Sequence, residues 1–218
     1  MKKRILIVDD HPLVRKGLAL TLEAEPDLEV CAQAASAEEA LGLLDKVQPD
    51  LAIVDISLPG MSGLELIKHL QAWKQHLPVL VISRHDEALY AERAIRAGAR
   101  GYVMKVEAVE VIVKAVRRVL AGGLYVSEEL SERLLLSMTG HRRALETRSP
   151  VELLSDRELE VFELTGRGLT TREIAERLHL SVKTVESYRA RIKAKLGLRT
   201  AAELMQHAVQ WVENEGSA

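Results

Sequence analysis

Polar side chains that could hold a phosphoryl group follow four apolar stretches in the first half of the chain. They are Asp9 and Asp10 after residues 4–8, Asp55 after residues 50–54, Ser83 after residues 78–82, and Lys105 after residues 101–104. Clustered carboxylates repel one another and favour a bound cation, and their hard oxygen donors suit Mg²⁺. A lysine and a hydroxyl can contact phosphoryl oxygens. The pattern predicts a phosphoryl group carried on a carboxylate, with Asp55 as the nucleophile.

Two purely structural interpretations of the acidic residues remain open at this point. Asp55 could simply start the turn at Pro59-Gly60, and Asp9-Asp10 could cap a helix that begins near Pro12. Neither alternative explains why Ser83 and Lys105 also stand at the ends of apolar stretches.

The elements that would position these residues alternate between strand and helix. We predict strands at 4–8, 28–33, 50–54, 78–82 and 101–104. Helices are predicted at 12–23, after an N-cap at Ser36, and at 63–75, 87–97 and 106–121. Such alternation is typical of a parallel sheet with helices on both faces. We therefore predict a doubly wound, flavodoxin-like α/β domain over residues 1–121. The carboxyl ends of its strands share one edge, where ligands of such sheets collect.

Composition restricts the class of protein further. The chain has 218 residues, of which 47% are hydrophobic and 28% charged, with a net charge of −2. No apolar run approaches the roughly 18 residues that a membrane span requires. The apolar stretch near the N-terminus is too short for a signal peptide. Cys31 is the single cysteine, which excludes an internal disulfide. We expect a cytoplasmic protein.

Residues 1–121 resemble the receiver domain of bacterial two-component response regulators. The resemblance implies that Asp55 is the phosphoacceptor and that Asp9 and Asp10 hold Mg²⁺ together with Asp55 and the backbone carbonyl of Ser57. It also implies that Ser83 and Lys105 contact the phosphoryl oxygens and that Tyr102 is a switch aromatic that moves inward on phosphorylation. Val106 departs from the family, in which proline often follows the lysine with a cis peptide bond.

Other uses of the same sheet predict different residues. A phosphatase with Asp55 as nucleophile needs a second carboxylate two residues later, where this chain has Ser57. A flavin-binding module needs a phosphate-cradling loop after the first strand, where Asp9-Asp10 would repel a phosphate. We expect the protein to accept and slowly hydrolyse its own aspartyl phosphate, and to catalyse no reaction on an external substrate. As a hypothesis, Ser57 and His85 flank the attacking water.

A linker over residues 122–150 separates the first domain from a second, all-α domain over residues 151–218. Gly122-Gly123 interrupts the pattern, a helix is predicted at 127–138, and the rest of the linker has no apolar period. Beyond it, Ser155 to Glu158 forms a capping box, and Thr171 begins a short helix. Four helices are predicted, two of them joined by a tight turn, which is helix-turn-helix spacing.

The helix that follows Ser181 has two chemically different faces. Val182, Val185, Ile192 and Leu196 share one face, which we predict to be core. The other face mixes cations, hydroxyls and a small methyl group, which suit phosphates and base edges, although it could also be merely solvated. Residues 182–199 carry six basic residues and one acidic residue, Glu186.

Residues 151–215 resemble the LuxR-type (NarL/FixJ-like) helix-turn-helix output domain, on motifs such as Leu154-Ser155-Asp156-Arg157-Glu158 and Lys195-Leu196-Gly197. Glu186 and Tyr188 depart from the residues common in that family. The residues predicted to contact DNA are Thr170, Thr171, Lys183, Thr184, Glu186, Ser187, Tyr188, Ala190, Arg191 and Lys195. The resemblance also implies a homodimer on DNA through the last helix, with Val209 and Trp211 as candidates.

Together these resemblances predict a DNA-binding transcriptional regulator that a sensor histidine kinase activates by phosphorylating Asp55. The alternative is a constitutive DNA-binding regulator whose receiver works without phosphorylation.

Overall fold

The computed structural model describes residues 2–73, 77–84, 87–106, 109–128, 130–132 and 150–215. The chain divides into two compact units, residues 1–139 and 140–218. Among the described residues, no helix combines the length and hydropathy needed to cross a membrane.

The first unit is a five-stranded parallel sheet in the order β2-β1-β3-β4-β5. Its strands are β1 (Lys3–Val8), β2 (Leu28–Ala34), β3 (Leu51–Val54), β4 (Val79–Ser83) and β5 (Gly101–Met104). Its helices are α1 (Pro12–Glu23), α2 (Ala37–Val47), α3 (Gly63–Trp73), α4 (Glu87–Ala97) and α5 (Val109–Leu120). The predicted doubly wound fold is confirmed. The last helix was predicted to start at Val106, but that residue lies in a turn.

The central strands are buried on both faces because helices cover the sheet on both sides. All four residues of β3 and all five of β4 are buried, as continuous apolar strands of a parallel sheet should be. One core layer packs Ile7 and Ile53 of the sheet against Leu22 of α1 and Val116 of α5. This rigid layer fixes the strand ends that carry the polar residues.

The segment that follows α5 is attached to the edge of β5. Tyr125 forms a parallel bridge with Gly101, its N–H donates to the carbonyl of Arg100 at 3.0 Å, and its carbonyl accepts from the N–H of Tyr102 at 2.9 Å. Further on, the Ser127 N–H donates to Glu87 Oε1 at 2.9 Å. The first part of the predicted linker is therefore bound to the first unit.

The helix predicted at 127–138 is described only in its first turn. Glu128 and residues 130–132 are helical, and Leu130 is buried. The Ser127 hydroxyl accepts from the Leu130 N–H at 3.1 Å. The remainder of that predicted helix lies outside the described residues.

In its described residues, 150–215, the second unit contains four helices after a 3-10 turn at Pro150–Leu153. They are α6 (Asp156–Gly166), α7 (Thr171–Leu178), α8 (Val182–Leu196) and α9 (Ala201–Glu215). The predicted capping box of Ser155 and Glu158 is present, and Thr170 and Glu173 form a second one. Ser181 caps α8, and Gly197 ends it with a positive φ of 70°.

The core of the second unit contains buried apolar residues from all four helices, among them Phe162, Ile174, Val185 and Ala208. Val185 and Ile192 of α8 are fully buried, as predicted. Val182 is 44% exposed, so its assignment to the core face is wrong, and Leu196 is only half-buried. Val182 is the first residue of α8, where the helix has not yet reached the packed interface.

Candidate functional site

The acidic residues that follow β1 and β3 stand side by side because these strands are neighbours. Val8 pairs with Val54, and the Asp55 N–H donates to the Val8 carbonyl at 2.8 Å. Asp9 and Asp55 are each buried, with 2% and 3% exposure. The residue at the N-cap of α1 is His11. Asp9 and Asp10 are therefore not the cap of that helix.

Lys105 reaches these carboxylates from the far side of β4. Its Nζ lies 2.6 Å from Asp55 Oδ2 and 2.7 Å from Asp9 Oδ2, and its side chain is 6% exposed. Its own N–H donates to the Ser83 carbonyl at 2.7 Å, which holds the chain after β5 against the end of β4. The structure thus joins residues from three strand ends through one buried ammonium group.

Burial raises the pKa of Asp55 above its ordinary value of 3.8. Lys105 acts against this shift and Asp9 adds to it. An aspartate that is held ionised at neutral pH in this position carries an unfavourable charge, so the site has an affinity for added positive charge.

Oxygen donors crowd the same edge of the sheet. Ligand atoms of Asp9, Asp10, His11 and Asp55 all lie within 4.8 Å of one another. Three carboxylates fit a hard divalent cation such as Mg²⁺, which suits the predicted set. The Ser57 N–H donates to Asp55 Oδ1 at 3.3 Å, so Ser57 is next to the site.

His11, which is not among the predicted site residues, also belongs to this cluster. Its Nδ1 lies 2.5 Å from Asp10 Oδ1 and 3.3 Å from Asp9 Oδ1, with about a third of the side chain exposed. The signal in the sequence was its position directly after the two acids.

Gly63 is a second residue that sequence reasoning missed. Its N–H donates to the Ile56 carbonyl at 2.8 Å, and a Cβ on Gly63 would lie 2.0 Å from the Asp55 carbonyl oxygen. The start of α3 therefore packs directly on the backbone of Asp55, and only glycine permits that approach.

The two predicted switch residues are both inside the protein. Ser83 is fully buried at the end of β4, and Tyr102 is 2% exposed. Tyr102 is therefore already buried in this structure, and its predicted movement on phosphorylation stays a prediction. The peptide bond between Lys105 and Val106 is trans, and Val106 is 85% exposed. His85 lies outside the described residues, and its predicted role with Ser57 stays a prediction.

In the second unit, α8 presents a mixed polar face to solvent. Lys183, Glu186, Ser187, Ala190 and Arg191 are exposed or half-exposed along this face, with Thr184 and Tyr188 beside them. The Arg191 guanidinium lies 5.9 Å from the centre of the Tyr188 ring, within cation–π range.

Several other residues predicted to contact DNA are already bonded within the domain. Lys195 Nζ lies 2.6 Å from Glu158 Oε2 and 3.1 Å from the Leu153 carbonyl. The Thr170 hydroxyl donates to Glu173 Oε2, and the Thr171 hydroxyl accepts from Arg189. These contacts fix the motif and reduce what the three side chains can offer to DNA.

The two dimer candidates lie on α9. Both Val209 and Trp211 are half-buried, and the Trp211 ring packs against Phe162 with centroids 5.6 Å apart. Part of Trp211 is therefore committed to the core of its own domain.

Comparison with known proteins identifies a family for each of the two units. Residues 5–117, more than half of the chain, match the response regulator receiver domain, and residues 152–208 match the bacterial regulatory proteins of the luxR family. The chain belongs to the LuxR-type response regulators. This regulator is 35% identical over 210 residues to the oxygen regulatory protein NreC of Staphylococcus haemolyticus, covering 95% of the chain and 97% of NreC.

Solved structures show the same relationship. A LuxR-family two-component response regulator from Aurantimonas is 34% identical with a TM-score of 0.58, over 64% of this regulator and 99% of that chain. RcsB of Salmonella enterica serovar Typhimurium, bound to promoter rprA in the presence of the phosphomimetic BeF₃⁻, has 25% identity and a TM-score of 0.63, over 96% and 99% of the chains. Both predicted resemblances are confirmed. The regulator is a two-component response regulator with a DNA-binding output domain, and the phosphorylation-independent alternative is not favoured.

Proposed function

We propose that Asp55 accepts a phosphoryl group from a sensor histidine kinase and that this event controls DNA binding by residues 151–218. The observation that carries the proposal is the Lys105 ammonium group, which bridges Asp55 and Asp9 at the edge of the sheet. A buried lysine between two carboxylates neutralises charge in the resting site and can move to a phosphoryl oxygen once that group arrives.

The chemistry uses the side chains that the fold brings together. An oxygen of Asp55 forms a bond to phosphorus as the bond from phosphorus to the donor breaks. Lys105 then pairs with one phosphoryl oxygen, and the Ser83 hydroxyl contacts another. The buried position of Asp55 limits access of water to the product and lengthens its lifetime. We propose that the regulator turns over only this aspartyl phosphate and no external substrate.

Asp9, Asp10 and Asp55, with the backbone carbonyl of Ser57, would hold Mg²⁺. Such an ion supplies positive charge to the phosphoryl oxygens during transfer. Because burial raises the pKa of Asp55, a cation at this cluster also favours the ionised, nucleophilic form of that carboxyl.

In the output domain, we propose that α8 enters the major groove. Lys183 and Arg191 are exposed and suit phosphates, while Ser187 and Ala190 lie on the same face and suit base edges and a thymine methyl group. Glu186 can accept from a cytosine amino group. Since chromosomal DNA is the proposed partner, we place the action of the regulator in the cytoplasm.

We propose that two copies bind DNA together, with Val209 and Trp211 of α9 as candidate contacts. RcsB has been solved as two dimers bound to two parallel DNAs, which supports a paired arrangement here. Val209 is the better candidate, because the Trp211 ring already packs on Phe162.

Incubation with acetyl phosphate and Mg²⁺, followed by intact-mass spectrometry, tests the central step. The wild-type chain should gain one phosphoryl group, and Asp55→Asn should gain none. Lys114→Ala, an exposed change on α5, is the matched control and should label like the wild type. Labelling of Asp55→Asn at the wild-type level would refute the assignment of Asp55.

A further inference from the structure

Arg189 stands in the middle of the proposed recognition helix α8 but points its guanidinium group into its own domain. Nη1 donates to Thr171 Oγ1 at 2.6 Å. Nη2 donates to Thr165 Oγ1 at 3.2 Å and to the Leu169 carbonyl at 3.4 Å. One side chain therefore joins α8 to the end of α6, to the α6–α7 turn and to the first residue of α7.

The acceptors of Arg189 are themselves fixed. Thr165 is 1% exposed, and its hydroxyl donates to the Val161 carbonyl at 2.7 Å, which leaves its lone pairs for Arg189. Thr171 follows the capping box of Thr170 at the start of α7. Arg189 thus bonds to residues at both ends of the turn between α6 and α7. Because the guanidinium group is planar and rigid, these bonds fix the orientation of α8 relative to that turn.

The energetics of this arrangement differ from those of a surface cation. Arg189 is half-buried, and burial lowers its pKa. The acceptors of the Arg189 guanidinium group are two hydroxyls and one carbonyl. Within the described part of the chain, no carboxylate pairs with this guanidinium group, and its buried Nε has no hydrogen-bond partner. Its desolvation is offset by charge-assisted hydrogen bonds, which are directional and so favour one orientation of the helix.

We propose that Arg189 is a positioning residue for DNA recognition, which sets the orientation of α8 against α7 and thereby the discrimination between base sequences. This inference rests on the proposed docking of α8 in the major groove. Exposed cations such as Lys183 supply phosphate contacts, which add affinity for any sequence. Arg189 instead holds the base-reading side chains in register, so its loss reduces specificity while leaving the number of phosphate contacts unchanged.

The test first requires a specific probe. Wild-type full-length chain with beryllium fluoride and Mg²⁺ selects a duplex from a random-sequence library, and a scrambled duplex of equal length is the non-specific probe. Affinities of the wild type and the variants for both duplexes are then measured across a range of salt concentrations. We expect Arg189→Ala to lower the ratio of the affinity for the selected duplex to that for the scrambled duplex by about tenfold or more. This ratio is typically about 10³–10⁷ for proteins that bind DNA specifically. The slope of log affinity against log salt should stay unchanged.

Lys183→Ala is the contrasting control. It should weaken both duplexes similarly and reduce the salt slope by about 0.9, as expected for one lost phosphate contact. If Arg189→Ala behaves in this way, Arg189 is a phosphate contact and the inference is wrong. If the wild type selects no duplex, both the proposed DNA binding and this inference fail, whereas normal selection with an unchanged ratio in Arg189→Ala refutes the inference alone.

A second set of variants keeps the test valid if Arg189→Ala fails to fold. Thr165→Val removes an acceptor of Arg189 at a buried site that cannot touch DNA, and it preserves side-chain shape. It should lower the specificity ratio in the same direction with an unchanged salt slope. Arg189→Lys keeps the charge but not the fork, and it should not restore specificity. Full specificity in Arg189→Lys and in Thr165→Val would overturn the proposal.

Discussion

Replacing Asp55 by asparagine should make the receiver domain more stable in the absence of Mg²⁺. Burial raises the pKa of Asp55, which means that its surroundings disfavour the charge despite Lys105. The amide oxygen of the Asp55→Asn variant would take the Oδ2 position and accept from Lys105, which would also keep Asp9 at 2.7 Å. The longer bond from the Ser57 N–H, at 3.3 Å, would be lost. The substitution therefore removes a costly charge without leaving the ammonium group unpaired.

The size of the effect follows from two opposing contributions. Desolvation of a buried carboxylate costs several kcal/mol, and the ion pair with Lys105 returns most but not all of that energy. A net gain of about 1–2 kcal/mol is expected, and it should raise the Tm of the receiver transition by roughly 3–8 °C. Asp10→Asn is the matched control, because that carboxylate is 37% exposed and its loss should change stability by less than about 0.5 kcal/mol.

The pH dependence of the stability difference between Asp55→Asn and the wild type tests the same effect independently. Because the folded-state pKa of Asp55 is raised, the stability contributed by its neutral form is fully present below 3.8 and is lost as the pH rises through the folded pKa. The advantage of Asp55→Asn should thus be largest near neutral pH and should shrink on acidification. Calorimetry in chelator at several pH values measures it. A variant less stable than the wild type at neutral pH, or a gain that does not vary with pH, would refute the reasoning.

Three further predictions concern other parts of the regulator. Gly63→Ala should destabilise the receiver by about 2–3 kcal/mol in urea unfolding, because its Cβ would meet backbone 2.0 Å away. Gly42→Ala should be neutral or stabilising, because the new Cβ would have no described atom within 4 Å apart from its chain neighbours and the nearby backbone of its own helix. Tyr125→Pro removes the N–H that binds the Arg100 carbonyl and should speed hydrogen exchange of the Tyr102 amide, measured by mass spectrometry. Residues 151–218 alone should bind the selected duplex without any phosphodonor, as measured by fluorescence anisotropy.

Each of these predictions has an outcome that contradicts it. Equal stabilities of Gly63→Ala and the wild type would mean that α3 does not pack tightly on the backbone of Asp55. Unchanged protection of the Tyr102 amide in Tyr125→Pro would show that the segment after α5 is not held by the β5 edge. A fragment 151–218 that is folded but binds no duplex would mean that the receiver supplies essential DNA contacts.

The sequence was enough to predict the sheet and its functional edge, because strand ends are marked by abrupt changes from apolar to polar residues. Asp9, Asp55 and Lys105 stand at such points, and parallel strands bring such points together. The pattern could not show that Lys105 forms ion pairs with both Asp9 and Asp55. The Lys105 side chain crosses from the β5 end to the β1 and β3 ends, and nothing local in the sequence indicates its reach.

Residues whose contacts are distant in sequence were missed or misassigned for the same reason. Arg189 fits a solvated basic helix by periodicity, and only its acceptors on α6 and in the next turn show that it points inward. Tyr125 follows two glycines in a stretch without apolar periodicity, so no local pattern in the sequence indicated its bridge to β5. Val182 matched the apolar spacing of α8, but it precedes the packed part of the helix.

The most direct test of the account is to titrate DNA affinity against receiver phosphorylation in one preparation. Fractions of full-length chain with increasing acetyl phosphate labelling, quantified by intact mass, are assayed for binding to the selected duplex. The account predicts that affinity changes in proportion to the labelled fraction in the wild type and stays constant in Asp55→Asn under the same treatment. Affinity that ignores the labelled fraction, or that changes equally in Asp55→Asn, would contradict control of DNA binding through Asp55.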